Sequence, residues 1–173
     1  RTPTLTATPK ATATPKATSA PGDTPTATPT RTVVCEELVL NGDFEQRRAW
    51  VSLTDPAPGY CTTAPLDGSW AMCLGIEPGQ PNTRRYSSVE QSVRLPVSAT
   101  ARLSFRYYPI SSDAGGDRQY VLLLFGDGSY SPLLWVLSNG QTWLTKEIDL
   151  SEYAGQRVTL RFGVYNDGQD GVT

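Results

Sequence analysis

From about residue 33 onward, apolar and polar residues alternate with a period of two. In 101–107, Ala101, Leu103, Phe105 and Tyr107 form the apolar set, with Arg102, Ser104 and Arg106 between them. Residues 158–164 alternate in the same way. That period predicts strands with one face in a core and the other toward solvent. Residues 120–125 (YVLLLF) are continuously apolar, which predicts a central strand covered on both faces. Residues 132–137 (PLLWVL) are a second apolar run, and 37–40, 70–74, 89–95 and 144–150 complete the expected strands. Turn signals separate them: Asn41-Gly42, Gly115-Gly116, Gly126-Asp127-Gly128, Asn139-Gly140 and Asp167-Gly168. No segment carries a capped helical period. About eight or nine strands at this spacing predict an all-β, antiparallel sandwich or barrel.

The alternation is absent before residue 33. Residues 1–32 hold 12 Thr, 6 Pro and 6 Ala, and Leu5 is their one large apolar residue. The hexapeptide TATPKA occurs at 6–11 and again at 12–17, with a decayed copy at 18–23. Pro3, Pro9, Pro15 and Pro21 are spaced by six, which puts them on one face of a polyproline II helix. Nothing in this stretch can offset chain entropy by burial. It is expected to be an extended low-complexity segment, reaching roughly 100 Å at about 3.1 Å per residue. Its composition also fits an O-glycosylated stalk, with Thr8, Thr14, Thr24, Thr26, Thr28 and Thr30 as candidate acceptors. The expected organisation is therefore a stalk over 1–32 and a β-domain over 33–173.

Composition narrows the chemistry. The 173 residues include no His, which removes Ser-His-Asp and Cys-His catalysis and the common His-containing zinc sites. A net charge of −2 offers no long-range attraction for nucleic acid. No run of about 18 apolar residues is present to span a membrane. The remaining acid/base candidates are carboxylates: Asp43, Glu45, Asp113, Asp117, Asp127, Asp167 and Asp170. No pair among them stands out as the two opposed carboxylates of a glycosidase, and turns favour Asp for their own reasons. No enzymatic activity is expected.

Residues 38–45 (LVLNGDFE), followed by Trp50, resemble the opening of galactose-binding-like jelly rolls. These include carbohydrate-binding modules of secreted glycosidases and MAM-like domains of extracellular proteins. Residues 67–75 (DGSWAMCLG), 89–93 (VEQSV), 141–143 (QTW), 148–155 (IDLSEYAG) and 158–162 resemble later strands of the same domains. The resemblance implies a jelly-roll β-sandwich. It also implies a structural calcium near the opening motif, with Asp43 and Glu45 as ligands, although the acid on the final strand has no counterpart here. The chain reaches Thr173 where one more strand would be expected, which would leave an open sheet edge for β-augmentation.

Three cysteines cannot all pair with one another. Cys61 and Cys73 flank a hairpin-like excursion and are the natural disulfide, leaving Cys35 unpaired or available to another chain. That usage fits an oxidising, extracellular or cell-surface location. Exposed aromatics are the candidates for stacking on sugars. Trp50, Trp70, Trp135 and Trp143 lie inside strand-like patterns and are expected to pack. Tyr86, Tyr108 and Tyr130 lie nearer strand ends, and Arg84 and Arg85 beside Tyr86 could bond hydroxyl or acidic groups.

Two non-catalytic functions fit. The first is a structural or adhesive extracellular module, a filament subunit joined by strand complementation and glycosylated stalks, with self-association or neighbouring domains as partners. For that exchange the proline-rich tail reads as a poor donor strand, and 32–40 as a better one. The second is a carbohydrate-binding accessory module tethered to a secreted hydrolase, with a polysaccharide as partner.

Overall fold

The computed structural model describes residues 4–9, 35–52, 54, 58–77, 79–97 and 99–173. Its strands are β1 (Thr4–Pro9), β2 (Glu36–Glu37), β3 (Val51–Ser52), β4 (Gly59–Cys61), β5 (Ala71–Cys73) and β6 (Arg85–Arg94), then β7 (Ala99–Tyr107), β8 (Arg118–Leu124), β9 (Tyr130–Val136), β10 (Leu144–Asp149) and β11 (Arg157–Asn166). A single 3₁₀ turn, Ser151–Tyr153, is the helical element among the described residues. A four-stranded sheet has the order β10-β7-β1-β2, a five-stranded sheet the order β3-β6-β11-β8-β9, and β4 and β5 form a separate pair. All pairings are antiparallel. The chain is an all-β sandwich.

The period-two segments supply both inner faces. Ala101, Leu103 and Phe105 of β7 meet Val93 of β6, Val158 and Leu160 of β11, and Val121 and Leu123 of β8 in one buried cluster. Leu95 and Leu150 close it at strand ends. Burying each such aliphatic side chain contributes about 1.5–3 kcal/mol against its exposed state. Leu103, Leu123, Leu150 and Leu160 are wholly buried and are the strongest single contributors of this type.

Three features depart from the expectations drawn from sequence. Six residues of the Thr/Pro-rich stretch are not polyproline II. Thr4–Pro9 forms β1 and pairs along its whole length with β7, Leu5 opposite Leu103 and Pro9 opposite Ala99. On its other side Thr6 and Ala7 stand opposite Glu37 and Glu36. The segment is nearly free of proline until its last residue, and β-branched Thr suits a strand. Thr8 therefore lies in β1. Thr14, Thr24, Thr26, Thr28 and Thr30 lie outside the described residues.

The second departure is β8. Val121 and Leu123 face the core, but Leu122 and Leu124 on the other face are only half-buried. Tyr120 is buried on that outer face by neighbouring side chains rather than by a further layer of structure.

The third departure is the opening motif: the strand expected over 37–40 is limited to Glu36–Glu37, and the residues after it form a folded loop. Asn41 takes a left-handed conformation (φ 49°), accepts the Gln46 N–H and donates to the Arg48 carbonyl. Its own carbonyl accepts the Trp50 indole N–H at 3.0 Å. Buried Gln91 holds the loop to β6 by accepting the Leu40 N–H and donating to the carbonyls of Leu40 and Ala49. Cys61 and Cys73 are joined across the β4–β5 pair, and Cys35 is exposed and unpaired within the chain.

Candidate functional site

Strand parity sends Tyr86, Ser88 and Glu90 of β6 to the outer face of the five-stranded sheet. Pairing then aligns them with β11: Tyr86 opposite Tyr165, Ser88 opposite Gly163, Glu90 opposite Arg161. On the next strand Tyr120 stands opposite Gly163, and beyond it Trp135 of β9 stands opposite Tyr120. A register shift in β9 opposite Val121/Leu122 leaves Leu134 opposite Val121 and keeps Trp135 on the outer face.

Gly163 makes this arrangement possible. A Cβ there would collide with the Tyr120 ring, so the glycine lets that ring lie across β11. The ring centroids of Tyr86 and Tyr165 are 4.8 Å apart, Tyr86 and Tyr120 are 6.5 Å apart, and Tyr120 stacks on Trp135 at 5.7 Å. The four rings, drawn from β6, β11, β8 and β9, touch in the order Tyr165, Tyr86, Tyr120, Trp135, with Tyr86 edge-on to Tyr120. Two of them are open to solvent, with Tyr86 52% and Trp135 51% exposed.

Polar groups lie along the row. The Arg161 guanidinium donates through Nε and Nη2 to one Glu90 oxygen, at 2.9 and 2.7 Å. Arg118 stands opposite Tyr165, and its Nη1 donates to the carbonyl of Asp117. Burial pushes the Tyr120 phenol above its ordinary value of 10.0, while the Ser88 hydrogen bond and the Arg161 charge oppose that rise. The face therefore presents aromatic ring surfaces beside hydrogen-bond donors and acceptors.

The sequence candidates are dispersed. Tyr86 belongs to the row. Tyr130 is 63% exposed on the same face, at the other end of β9 opposite Leu124. Arg84 is exposed next to β6, whereas Arg85 is tied to its own loop through Thr83 Oγ1 and the Pro81 carbonyl. Tyr108 lies elsewhere, edge-on to Trp143 at 5.7 Å. Those two rings and Trp70, Phe105 and Tyr107 line a largely apolar cleft of about 800 Å³ that opens into the sandwich interior. Trp50 packs against Phe44 and Phe162, and Trp70 carries the Arg47 guanidinium 4.7 Å from its ring centre. Trp135 packs on Tyr120 at the rim of the sheet, with half of its surface open. Sequence reading also missed Tyr165, Tyr120 and Gly163 as a group; a lone glycine inside the β11 alternation was the available signal.

Asp43 and Glu45 are both exposed. One oxygen of Glu45 accepts the N–H groups of Ser69 and Trp70 at 2.8 and 2.9 Å, which clamps the opening loop to the start of β5. Asp43 Oδ1 faces the Glu45 N–H at 3.3 Å. These bonds leave Glu45 Oε2 as a carboxylate oxygen that a calcium ion could take, and Asp43 offers a second carboxylate.

No protein-family model and no curated protein matches the chain. Nine solved chains match it in structure. One is TmCBM61, described in complex with β-1,4-galactotriose; it is 18% identical, with a TM-score of 0.55, over 79% of this chain and 93% of that one. The likeness is one of fold. The chain is a β-sandwich of the kind found in carbohydrate-binding modules.

Proposed function

We propose that this protein is a non-catalytic carbohydrate-binding module that takes a polysaccharide chain along the ring row Tyr165–Tyr86–Tyr120–Trp135. The observation carrying the reading is that row itself: four aromatic rings in contact across four strands, Tyr86 and Trp135 half-exposed, on a sheet face with charged and hydroxyl groups beside them. Tyr86, Tyr165 and Trp135 stack on sugar faces. Arg161, Glu90 and Arg118 bond sugar hydroxyls, and Tyr130 extends the contact on the same face. The fold likeness to a galactotriose-bound module makes β-1,4-galactan the first ligand to try. The disulfide fits an extracellular setting, and no helix among the described residues is long and apolar enough to cross a membrane.

The test is affinity electrophoresis and titration calorimetry against a panel of insoluble and soluble polysaccharides, galactan included. Trp135→Ala and Tyr86→Ala are each expected to weaken binding about tenfold, equivalent to about 1.4 kcal/mol, with the native circular dichroism spectrum retained. Trp143→Ala, in the interior cleft, is expected to bind normally. Loss of binding in Trp143→Ala alone would place the ligand in the cleft and refute the sheet-face reading.

A second reading, assembly through strand exchange, draws on β1. Its position between β7 and β2, with residues 10–35 intervening before β2, would let a neighbouring chain's copy occupy the same slot. Concentration-dependent oligomers in light scattering would favour it, and monomers at every concentration would exclude it.

A further inference from the structure

A second cluster lies beyond the end of the ring row. Asp113 and Asp117 precede β8, and Asp167 follows β11. The pairing of Arg118 with Tyr165 brings those two strand ends side by side. One carboxylate oxygen from each of the three aspartates lies within 4.8 Å of the others.

Hydrogen bonding accounts for part of this arrangement. Asp113 Oδ2 accepts the N–H groups of Gly115 and Asp117 at 2.8 and 2.9 Å. Asp167 Oδ1 accepts the Gln169 N–H at 2.8 Å. Asp117 accepts the Asp167 N–H on Oδ1 and the Asn166 amide on Oδ2, at 2.8 and 2.6 Å. Two buried oxygens are left over. Asp113 Oδ1 and Asn166 Oδ1 have no partner in hydrogen-bonding geometry, although the Gly116 and Gly171 N–H groups also approach the Asp113 carboxyl. Asn166 is itself 0% exposed, and its amide head rests against Asp117.

A buried oxygen without a donor is costly. It is harder to account for beside three carboxylates, where extra negative potential gathers. Among the described residues no basic side chain forms an ion pair with the cluster. Arg118 is adjacent in sequence, but its Nη1 donates to the carbonyls of Gly115 and Asp117 instead. A cation would compensate the charge and the orphan oxygens together.

We infer that Asp113, Asp117, Asp167 and Asn166 form a binding site for a hard divalent cation of the calcium class. The donors are all oxygen, which excludes soft metals. They come from the loop before β8 and the end of β11 and include an amide carbonyl, which suits the irregular six- to eight-oxygen shell of calcium better than the strict octahedron of magnesium. Gly116 belongs to the site, because a Cβ there would collide with the Asp167 carboxylate. The site is separate from Asp43 and Glu45 and does not depend on sugar binding. The ion would bridge the loop before β8 to the end of β11.

The test uses the full chain, stripped with EDTA and titrated with calcium chloride by calorimetry and with terbium by luminescence. Calcium is expected to raise the unfolding temperature of the parent protein. Asp113→Asn and Asp167→Asn, both at half-exposed positions, are expected to weaken calcium binding at least tenfold and to abolish that rise. Glu45→Gln is expected to retain both. If an Asn variant fails to fold in EDTA, Gly116→Ala takes its place, with the same loss expected. The inference is overturned if calcium shifts nothing in the parent protein, or if binding disappears in Glu45→Gln and persists in the Asp113 and Asp167 variants.

Discussion

At the scale of single residues, the sheet face depends on the pair Gly163 and Tyr120. A glycine in a strand interior ordinarily weakens it by leaving nothing to pack. Here the missing side chain is replaced by the phenol ring of the adjacent strand, which in turn supports Tyr86 and Trp135. Tyr120 is 5% exposed, and its burial favours the neutral phenol. The folded-state pKa is raised above 10.0, so the stabilisation is complete below pH 10 and is lost as pH rises through the folded value. Urea midpoints measured from about pH 9 to 11.5 are expected to fall more steeply for the parent protein than for Tyr120→Phe. Equal slopes would mean that Tyr120 ionises no less readily folded than unfolded.

At the scale of elements, β1 is the informative case. It separates β7 from β2, so β7 is an interior strand of its sheet only because Thr4–Pro9 is there. Without it, β7 would present a row of unpaired backbone groups beside a core that includes Leu103 and Phe105. A chain beginning at residue 10 is expected to lose hydrogen-exchange protection at those β7 amides that point toward β1, while β6 and β11 keep theirs. Unchanged protection along β7 would show that β1 contributes nothing to that sheet. The opening motif makes a related point at the level of a loop. Its Asn and Glu are satisfied by loop and backbone partners, so the motif has a structural role whether or not it also holds an ion.

For the whole molecule, the two large sheets bury one core, while the β4–β5 pair stands apart from them in hydrogen bonding. The Cys61–Cys73 disulfide holds that pair closed across a sequence separation of 12. A loop of that size is worth about 3 kcal/mol in chain entropy. Reduction with dithiothreitol is therefore expected to lower the stability measured in urea by about 2–4 kcal/mol. Because the ring row lies on a different sheet, galactan affinity is expected to survive reduction under native conditions. Loss of affinity on reduction would place the ligand nearer the β4–β5 pair and the cleft.

Alternation along the chain was enough to specify the all-β class, most of the long strands and the inward set of β7 and β11, because period two is a local property of a half-buried strand. The pairing of Cys61 with Cys73 was legible for a similar reason: two cysteines on short adjacent segments have few geometric choices. The ring row was not legible. Tyr86, Tyr165, Tyr120 and Trp135 come from four strands whose order in the sheet, β6-β11-β8-β9, differs from their order in the chain. Their meeting depends on register, and a shift of one residue in any strand would turn its ring to the core. The acidic cluster has the same origin, since Asp113 and Asp167 are distant in sequence and meet because β8 pairs with β11. The strand formed by Thr4–Pro9 was hidden by its composition: a low-complexity segment carries no core-forming pattern of its own, and its conformation is set by the open edge of β7 that receives it.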